Sequence, residues 1–163
     1  MPRIGHWRKR PCLAMPRHCA FAIGRSLRVS QRTDLFHAWE ATQKALGYSQ
    51  AVRAGDTVYV AGTASLDADF NALDPGNLPA QMRNIYRRIG ETLAQFSLGF
   101  GHVVRETMVV TDMDGLMPAL AYRKSIYGDG PFPASTTVEV KRLFAPGLMI
   151  EIEVTASFAS GEG

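Results

Sequence analysis

The stretch that decides the fold is MIEIEVTASF, residues 149–158. Its apolar and polar side chains alternate, and a period of two is typical of a strand with one face buried in a core. A second stretch, FPASTTVEVKR at residues 132–142, repeats the alternation with Val138 and Val140 on its apolar side. The turn-forming pair Pro146-Gly147 lies between the two stretches, so the sequence predicts an antiparallel hairpin.

Hydrophobic periodicity predicts the elements upstream of this hairpin. They are a helix at 35–46, strands at 48–53 and 56–61, a helix beginning at residue 78, a strand at 102–111 and a helix at 115–127. The helix at residue 78 carries the clearest apolar stripe, formed by Met82, Ile85, Ile89, Leu93 and Phe96. Apart from the short first helix, the order is β-β-α-β-α-β-β, without regular βαβ alternation. This order predicts an α+β domain in which two helices cover one face of a mixed sheet.

The net charge of +3 is unevenly distributed along the chain. Residues 1–32 hold eight of the 18 Lys and Arg residues and no Asp or Glu. Residues 33–163 therefore hold ten basic and 15 acidic side chains, a net charge of −5. Nonspecific nucleic-acid binding depends on clustered cations that release counterions from phosphates. The predicted domain at 33–163 is therefore not expected to bind nucleic acid.

Residues 1–32 are predicted to be a basic, poorly ordered extension of that domain. The segment has prolines at positions 2, 11 and 16 and no sustained periodicity. An arginine-rich segment without acidic residues also resembles an organellar transit peptide. The alternative is that translation begins downstream, at Met15 or later.

Neither a metal site nor a membrane span is predicted. Cys12 and Cys19 lie near two histidines, but the spacing Cys-x6-Cys lacks the close pairing of structural zinc sites. The loop at 65–79 begins like a calcium-binding loop but lacks its glycine and its distal glutamate. No apolar run reaches the length of about 18 residues that a membrane-spanning helix needs. Residues 33–163 contain no cysteine, which suits a reducing compartment, so we expect a cytoplasmic protein.

Several motifs along residues 47–158 resemble those of the RidA/YjgF family, the reactive-intermediate deaminases. They are GYSQA at 47–51, GD at 55–56, VYVAG at 58–62, QMRNI at 81–85, TDM at 111–113, PAST at 133–136, VEV at 138–140 and IEIE at 150–153. The resemblance implies the fold of the small chorismate mutases and a homotrimer whose three sheets surround a central barrel. The expected partners are further copies of the chain and a small-molecule ligand, and no cofactor is expected.

The resemblance also implies a site in a cleft between subunits. In active members, an arginine binds the substrate carboxylate while water attacks an imine carbon and ammonia departs. Tyr48 falls at the family's site tyrosine, and Glu151 falls at the acid that orients the water. We therefore expect Tyr48 and Glu151 to be the catalytic residues. Tyr48 either contacts the ligand as well or packs against a neighbouring subunit.

Three positions of the implied substrate site depart from the family pattern. Ser135 replaces the substrate-binding arginine, and Ala61 and Ala119 replace polar groups. Thr137 lies close to Ser135 in sequence and is expected to line the same substrate site. A serine hydroxyl does not replace a guanidinium, whose planar fork binds a carboxylate bidentately. We therefore expect poor deamination of 2-imino acids, and a gain of that activity in Ser135→Arg.

Two functions remain open on the sequence. One is hydrolysis of an enamine or imine ligand that does not require a carboxylate, and the other is a noncatalytic trimer that binds ligands or regulates partners. A chorismate-mutase activity would need several arginines facing a dicarboxylate, and the substitutions weigh against it. Arg105 and Arg123 are candidate replacement cations, although the pattern favours a solvent-exposed charge at both. Glu151 either orients a water or is simply one of two acids, with Glu153, on the polar face of its strand, and Glu153 is expected to be solvated.

Overall fold

The computed structural model describes residues 34–160. Six strands form one sheet: β1 (Asp34–Phe36), β2 (Ala51–Ala54), β3 (Thr57–Ala64), β4 (Val103–Val110), β5 (Ala134–Glu139) and β6 (Ile150–Ser157). The α-helices of this part of the chain are α1 (Glu40–Leu46), α2 (Leu78–Ala94), α3 (Met113–Leu116) and α4 (Leu120–Tyr127). The predicted extension at 1–32, with Cys12 and Cys19, lies outside the described residues.

The sheet is mixed, with the strand order β1-β2-β3-β6-β4-β5. β4 and β5 run parallel, and every other neighbouring pair is antiparallel. One core contains buried side chains from β3, β4 and β6 together with side chains from α2, α3 and α4. The predicted α+β class, with helices packed on a mixed sheet, is confirmed.

The two strongest sequence patterns, in β6 and α2, take the predicted structure. The buried residues of β6 alternate as expected and are Ile150, Ile152, Val154 and Ala156. The fully buried stripe of α2 includes Met82, Ile85, Ile89 and Leu93. Asn77 begins α2, because its Oδ1 accepts a hydrogen bond from the Ala80 amide at 3.1 Å.

The predicted hairpin between residues 132–142 and 149–158 is wrong, because β5 and β6 are not neighbours. β6 lies between β3 and β4, and β5 pairs with β4. The connection from β4 to β5 passes through α3 and α4, as parallel neighbours require. The segment between β5 and β6 is instead held against α2. There the Gln81 side chain donates to the Gly147 carbonyl and accepts from the Met149 amide, both at 2.8 Å.

The predicted apolar face of β5 is also wrong. Val138 is paired with Val109 and is 41% exposed. The residues on either side of Val109, Met108 and Val110, are the ones buried beneath the helices. Because partners on adjacent strands point to the same face, Val138 lies on the sheet face opposite the helices. The register with β4 therefore decides which sheet face each side chain of β5 occupies. The apolar pattern within β5 does not decide it.

The helix predicted at 35–46 is only partly correct. Residues 34–36 form β1, in which Leu35 is paired with Val52 and is 57% exposed. The helix begins at Glu40 and ends, as predicted, at Gly47. The φ angle of Gly47 is 77°, a left-handed conformation that favours glycine at the end of a helix.

The helix predicted at 115–127 is interrupted in its first half. α3 and α4 are joined by a 3-10 turn at Met117–Ala119 that contains Pro118. Proline has no amide hydrogen to donate to a regular helical bond, so the backbone tightens at this point. α3 begins at Asp112, whose Oδ1 accepts a hydrogen bond from the Gly115 amide at 2.9 Å.

Candidate functional site

A cavity of about 650 Å³ lies where the end of β3 meets α2 and the segment around α1. Its lining residues are Phe36, Ala38, Trp39, Leu46, Tyr48, Gln50, Gly62, Thr63, Ala64, Leu66, Phe70, Arg87, Arg88, Glu91, Thr92, Gln95, Phe144 and Glu151. We call this cavity the main pocket. Both residues predicted to be catalytic, Tyr48 and Glu151, line it. A cavity of this size suits a small organic ligand.

A buried set of hydrogen bonds lies next to Tyr48. Gln43 Nε2 donates to Gln50 Oε1 at 2.9 Å and makes a longer contact of 3.5 Å with Tyr48 Oη. Gln50 Nε2 donates to Thr63 Oγ1 at 3.1 Å, and Thr63 donates to the Ala61 carbonyl at 3.0 Å. Buried polar groups that are satisfied in this way hold defined positions. The network therefore links α1 to β3 beside Tyr48.

Glu151 lies on β6, paired with Ala64 of β3, and its side chain is half-buried. A Cβ atom on Gly62 would lie 1.9 Å from Glu151 Oε1, so glycine at position 62 leaves room for the carboxyl group. Burial raises the pKa of Glu151 above its ordinary value, and the charge of Glu153 raises it further. A carboxyl group whose pKa is raised toward neutrality is suited to taking up and returning a proton.

Arg88 of α2 brings a positive charge to the main pocket. Its Nη1 donates to the Ala64 carbonyl at 3.4 Å, and its Nη2 donates to the Leu66 carbonyl. Its guanidinium carbon lies 4.5 Å from the centre of the Trp39 ring, within the range of a cation–π contact. Burial lowers the pKa of Arg88, and the neighbouring charge of Arg87 lowers it further. The guanidinium is thus held in place and partly removed from water.

Aromatic side chains form one wall of the main pocket. The Trp39 and Phe70 ring centres are 5.6 Å apart, and those of Phe70 and Phe144 are 5.9 Å apart. Both pairs are edge-to-face, an arrangement that stabilises aromatic contacts. We call these three residues the aromatic wall.

The other four predicted site residues lie outside the main pocket. Ser135 and Thr137 lie on the edge strand β5. Ala119 ends the 3-10 turn and is buried in the core. Ala61 lines a second cavity, of about 380 Å³, together with Arg105. Within one chain, Ser135, Thr137 and Ala119 therefore do not line the main pocket with Tyr48 and Glu151.

A buried carboxyl group lies beside Ser135. Glu106 of β4 is 0% exposed, and its Oε1 accepts hydrogen bonds from Tyr86 Oη at 2.7 Å and Tyr127 Oη at 2.9 Å. Its Oε2 accepts hydrogen bonds from Arg123 Nε at 2.5 Å and Ser135 Oγ at 3.4 Å. We call these five residues the Glu106 cluster.

The prediction that Arg123 is a solvent-exposed charge is wrong. Its side chain is 15% exposed, and its charge is paired with that of Glu106. Burial alone would lower the pKa of Arg123, but the hydrogen bond and charge of Glu106 outweigh burial and raise it. Burial, together with Glu106, also raises the pKa of Tyr86 and of Tyr127, so both phenols stay protonated. Arg105 is exposed, as predicted.

The sequence interpretation missed Arg88 and Glu106, although both carry a signal. On α2, position 88 lies between the buried residues Ile85 and Thr92 at helical spacing, at the edge of the apolar stripe. On β4, Glu106 alternates with Met108 on the core side of the strand. A charged residue at a core position therefore marks each site.

Residues 34–160 contain no group of three or more His, Cys, Asp or Glu side chains that could hold a metal ion. In the same part of the chain, no helix has the length and apolar character needed to cross a membrane.

Residues 39–158 match the protein family described as Endoribonuclease L-PSP. The 2-iminobutanoate/2-iminopropanoate deaminase of Mus musculus is 31% identical over 109 residues, which cover 67% of this chain and 79% of the relative. A RutC family protein of Sulfurisphaera tokodaii is 32% identical over 119 residues, which cover 72% of this chain and 94% of the relative.

A solved structure agrees with these sequence relatives. The crystal structure of a YjgF/YER057c/UK114 family member from Mycobacterium tuberculosis is similar with a TM-score of 0.67 and 33% identity. The match covers 77% of this chain and 98% of that one. The family match at 39–158 includes β2 to β6 and nearly all of the main pocket. Together with the sequence relatives and the solved structure, it shows that the chain belongs to the RidA/YjgF family.

Proposed function

We propose that this protein hydrolyses enamine or imine metabolites in the main pocket. The observation that carries the proposal is the half-buried Glu151 carboxyl group, with its raised pKa, in the same pocket as Tyr48. Hydrolysis of an imine needs a group that takes a proton from water and later returns it to nitrogen. The name of the mouse relative, 2-iminobutanoate/2-iminopropanoate deaminase, supports this class of reaction.

The proposed reaction uses a protonated imine and one water molecule. The water oxygen bonds to the imine carbon while Glu151 takes a proton from the water. Glu151 then gives that proton to the nitrogen, and the carbon–nitrogen bond breaks as the hydroxyl oxygen becomes a carbonyl. The departing ammonia takes the hydroxyl proton. The products are a carbonyl compound and an ammonium ion, and Glu151 returns to its carboxylate form. The Tyr48 hydroxyl lies in the same pocket and is proposed to orient the ligand.

The site is proposed to be completed by a second copy of the chain in a cytoplasmic homotrimer. The separation of Ser135 and Thr137 from the main pocket supports this assembly, since both would reach a pocket from a neighbouring copy. β5 is an edge strand with unpaired backbone groups, and the open sheet face exposes Tyr59 and Val138. Edges and apolar faces of this kind are commonly covered by symmetric association.

A noncatalytic role in ligand binding or regulation is the second candidate function. The observation that favours it is that the neutral Ser135 occupies the position of the arginine that binds the substrate carboxylate in active members of the family. Its hydroxyl is moreover directed to the acidic Glu106, at 3.4 Å. Small 2-imino acids, which present little besides a carboxylate to bind, are therefore proposed to be poor substrates.

The proposed function is tested by an imine hydrolysis assay on Glu151→Gln. An amino acid oxidase generates the imine in place, and the consumption of imine and release of ammonium are followed. We expect kcat/KM to fall about 10²- to 10⁴-fold in the variant, the usual effect of removing a general acid–base group. Asp129→Asn is the control, because Asp129 is an exposed acid that does not line the main pocket.

Two outcomes would contradict catalysis by Glu151. One is equal turnover by the wild-type protein and Glu151→Gln. The other is ligand binding in the main pocket with no turnover of any imine, which would favour the noncatalytic function.

A further inference from the structure

We propose that Arg88 binds a carboxylate of the ligand and that the aromatic wall binds a flat apolar group, so that the ligands are aromatic carboxylic acids. The proposal rests on the proposed function for the reacting imine and adds to it a recognition residue and a substrate class. In this assignment, Arg88 supplies the cation that Ser135 does not, and small 2-imino acids remain poor substrates because they lack the flat apolar group.

Arg88 and Glu151 are linked through the backbone at Ala64. The carbonyl oxygen that Nη1 contacts belongs to Ala64, the residue paired with Glu151 across β3 and β6. Paired residues on antiparallel strands have Cα atoms about 4.5 to 5.5 Å apart. A 2-imino acid, whose carboxylate is bonded to the reacting carbon, needs a cation and an acid–base group in one pocket, and both Arg88 and Glu151 line the main pocket.

Arg88 makes no close ion pair with an acid of residues 34–160, although the more distant charges of Glu91 and Asp67 act on it. Of the nearby acids, Glu91 is paired with Arg87 at 2.7 Å. Asp67 accepts hydrogen bonds from the backbone of its own loop, at 2.9 Å from Asp69 and 2.8 Å from Asn71. A partly desolvated cation without a close ion pair is stabilised when an anionic ligand binds.

Arg88 also keeps hydrogen-bond donors for a ligand. A guanidinium has five N–H groups, and the contacts with the carbonyls of Ala64 and Leu66 use two of them. Those contacts and the Trp39 ring fix the plane of the group. A guanidinium that is already oriented loses less entropy on binding a carboxylate than a free one does.

The aromatic wall indicates that the ligand also carries an apolar group. Trp39, Phe70 and Phe144 present edge-to-face rings in the same pocket as Arg88. Phe144 lines the pocket and is 64% exposed, a large apolar surface to leave in water. A planar ring extends such a series of contacts, and a small aliphatic group fills little of a cavity of about 650 Å³.

The alternative cation, Arg123, is not free to bind an anionic ligand. Glu106 neutralises it through a 2.5 Å contact, and the pair has no net charge to offer an anion. Arg88 is consequently the stronger candidate of the two.

The test measures the affinity of freshly dissolved phenylpyruvate, the 2-oxo acid that corresponds to an aromatic 2-imino acid, and of phenylacetone, which keeps the ring and the carbonyl but lacks the carboxylate. Binding is followed by tryptophan fluorescence in a Trp7→Phe background, where Trp39 is the remaining tryptophan of the chain. We expect phenylpyruvate to bind at least about tenfold more tightly than phenylacetone, as a charge-assisted bidentate contact provides. In Arg88→Met this preference is expected to disappear.

Two further variants keep the result interpretable. Arg83→Met removes an exposed arginine from the same helix and is expected to keep the wild-type preference. Arg88→Lys retains the charge if Arg88→Met does not fold, and is expected to keep part of the preference, because lysine cannot bind a carboxylate bidentately. An equal preference in the wild type, Arg88→Met and Arg88→Lys would overturn the proposal, as would a wild type without any preference.

Failure of this inference and failure of the proposed function give different results. If phenylpyruvate binds through Arg88 but no imine is hydrolysed, the ligand class holds and catalysis fails. If an aromatic 2-imino acid is hydrolysed with the same KM by the wild type and Arg88→Met, catalysis holds and the role of Arg88 is wrong.

Discussion

Arg88 and Arg123 are two arginines whose surroundings differ in one decisive respect. Arg123 is held by the buried Glu106, which also accepts two phenol hydrogen bonds and so is fully occupied. Arg88 is held by backbone carbonyls and an indole ring, none of which carries a net charge. The first arginine completes a structural cluster, whereas the second still has a charge to offer. Whether the charge of an arginine is available to a ligand therefore depends on its partners more than on its exposure.

The largest effect on the surroundings of the two arginines is expected from removing the acid of the Glu106 cluster. Glu106→Gln leaves Arg123 buried without a counter-charge, and we expect a loss of about 3 kcal/mol in the free energy of unfolding. Denaturation by urea measures the loss. Glu153→Gln, which changes an exposed acid, serves as the control. A loss below about 0.5 kcal/mol, the range of ordinary surface substitutions, would show that the Arg123 pair is not structural.

A second change acts on the main pocket alone. In Gly62→Ala, the new Cβ would lie 1.9 Å from Glu151 Oε1, so the flexible carboxyl group must move. We expect kcat/KM for imine hydrolysis to fall about 10- to 100-fold, since small displacements of a reacting group have effects of this size. Thermal unfolding is expected to change little. Full activity in Gly62→Ala would show that the observed position of Glu151 is not needed.

The raised pKa of Glu151 is expected to have a smaller effect, which is a change in thermal stability with pH. A carboxyl group whose folded-state pKa is raised destabilises the fold as the pH rises above its ordinary value of 4.5. Glu151→Gln removes that penalty, so the variant is expected to have a higher Tm than the wild type at pH 7.5. The difference should vanish below pH 4.5. Scanning calorimetry across this range checks the sign, and a lower Tm of the variant at pH 7.5 would contradict it.

The smallest effect is expected for Ser135→Arg. The sequence alone predicts that this substitution restores the deamination of 2-imino acids. In the structure, Glu106 Oε2 lies 3.4 Å from Ser135 Oγ and would pair with a new guanidinium. We therefore expect a gain in kcat/KM of less than about tenfold on small 2-imino acids. A gain above about 100-fold would show that the β5 edge remains open to anions despite Glu106.

Much of the fold follows from patterns within single segments. The alternation in β6 and the stripe in α2 depend on local periodicity and one buried face, and both are confirmed. The pairing of β5 depends on which strand occupies the neighbouring place in the sheet. The wrong hairpin arose because Pro146 and Gly147 signal a turn without specifying the strands that it joins. In the structure, Gln81 of α2 binds the backbone on both sides of Leu148 and directs the chain away from β5.

The candidate site was predictable only where a motif marks a residue. Tyr48 and Glu151 fall in motifs, and the structure brings both to the main pocket. Arg88 lies in a helix where its sequence neighbours suggest a solvated charge. Its role depends on the carbonyls of Ala64 and Leu66, which approach it from a distant part of the chain. The sequence marks position 88 only as a charge at the edge of the apolar stripe of α2, whereas the contacts themselves depend on tertiary packing.

A crystal structure of the protein with phenylpyruvate tests the central claim most directly. We expect a carboxylate oxygen about 2.7 to 2.9 Å from a nitrogen of Arg88, with the phenyl ring against the aromatic wall. Arg123 should keep its contact with Glu106. A carboxylate bound to Arg123 or at the Ser135 edge, with Arg88 unoccupied, would contradict the account.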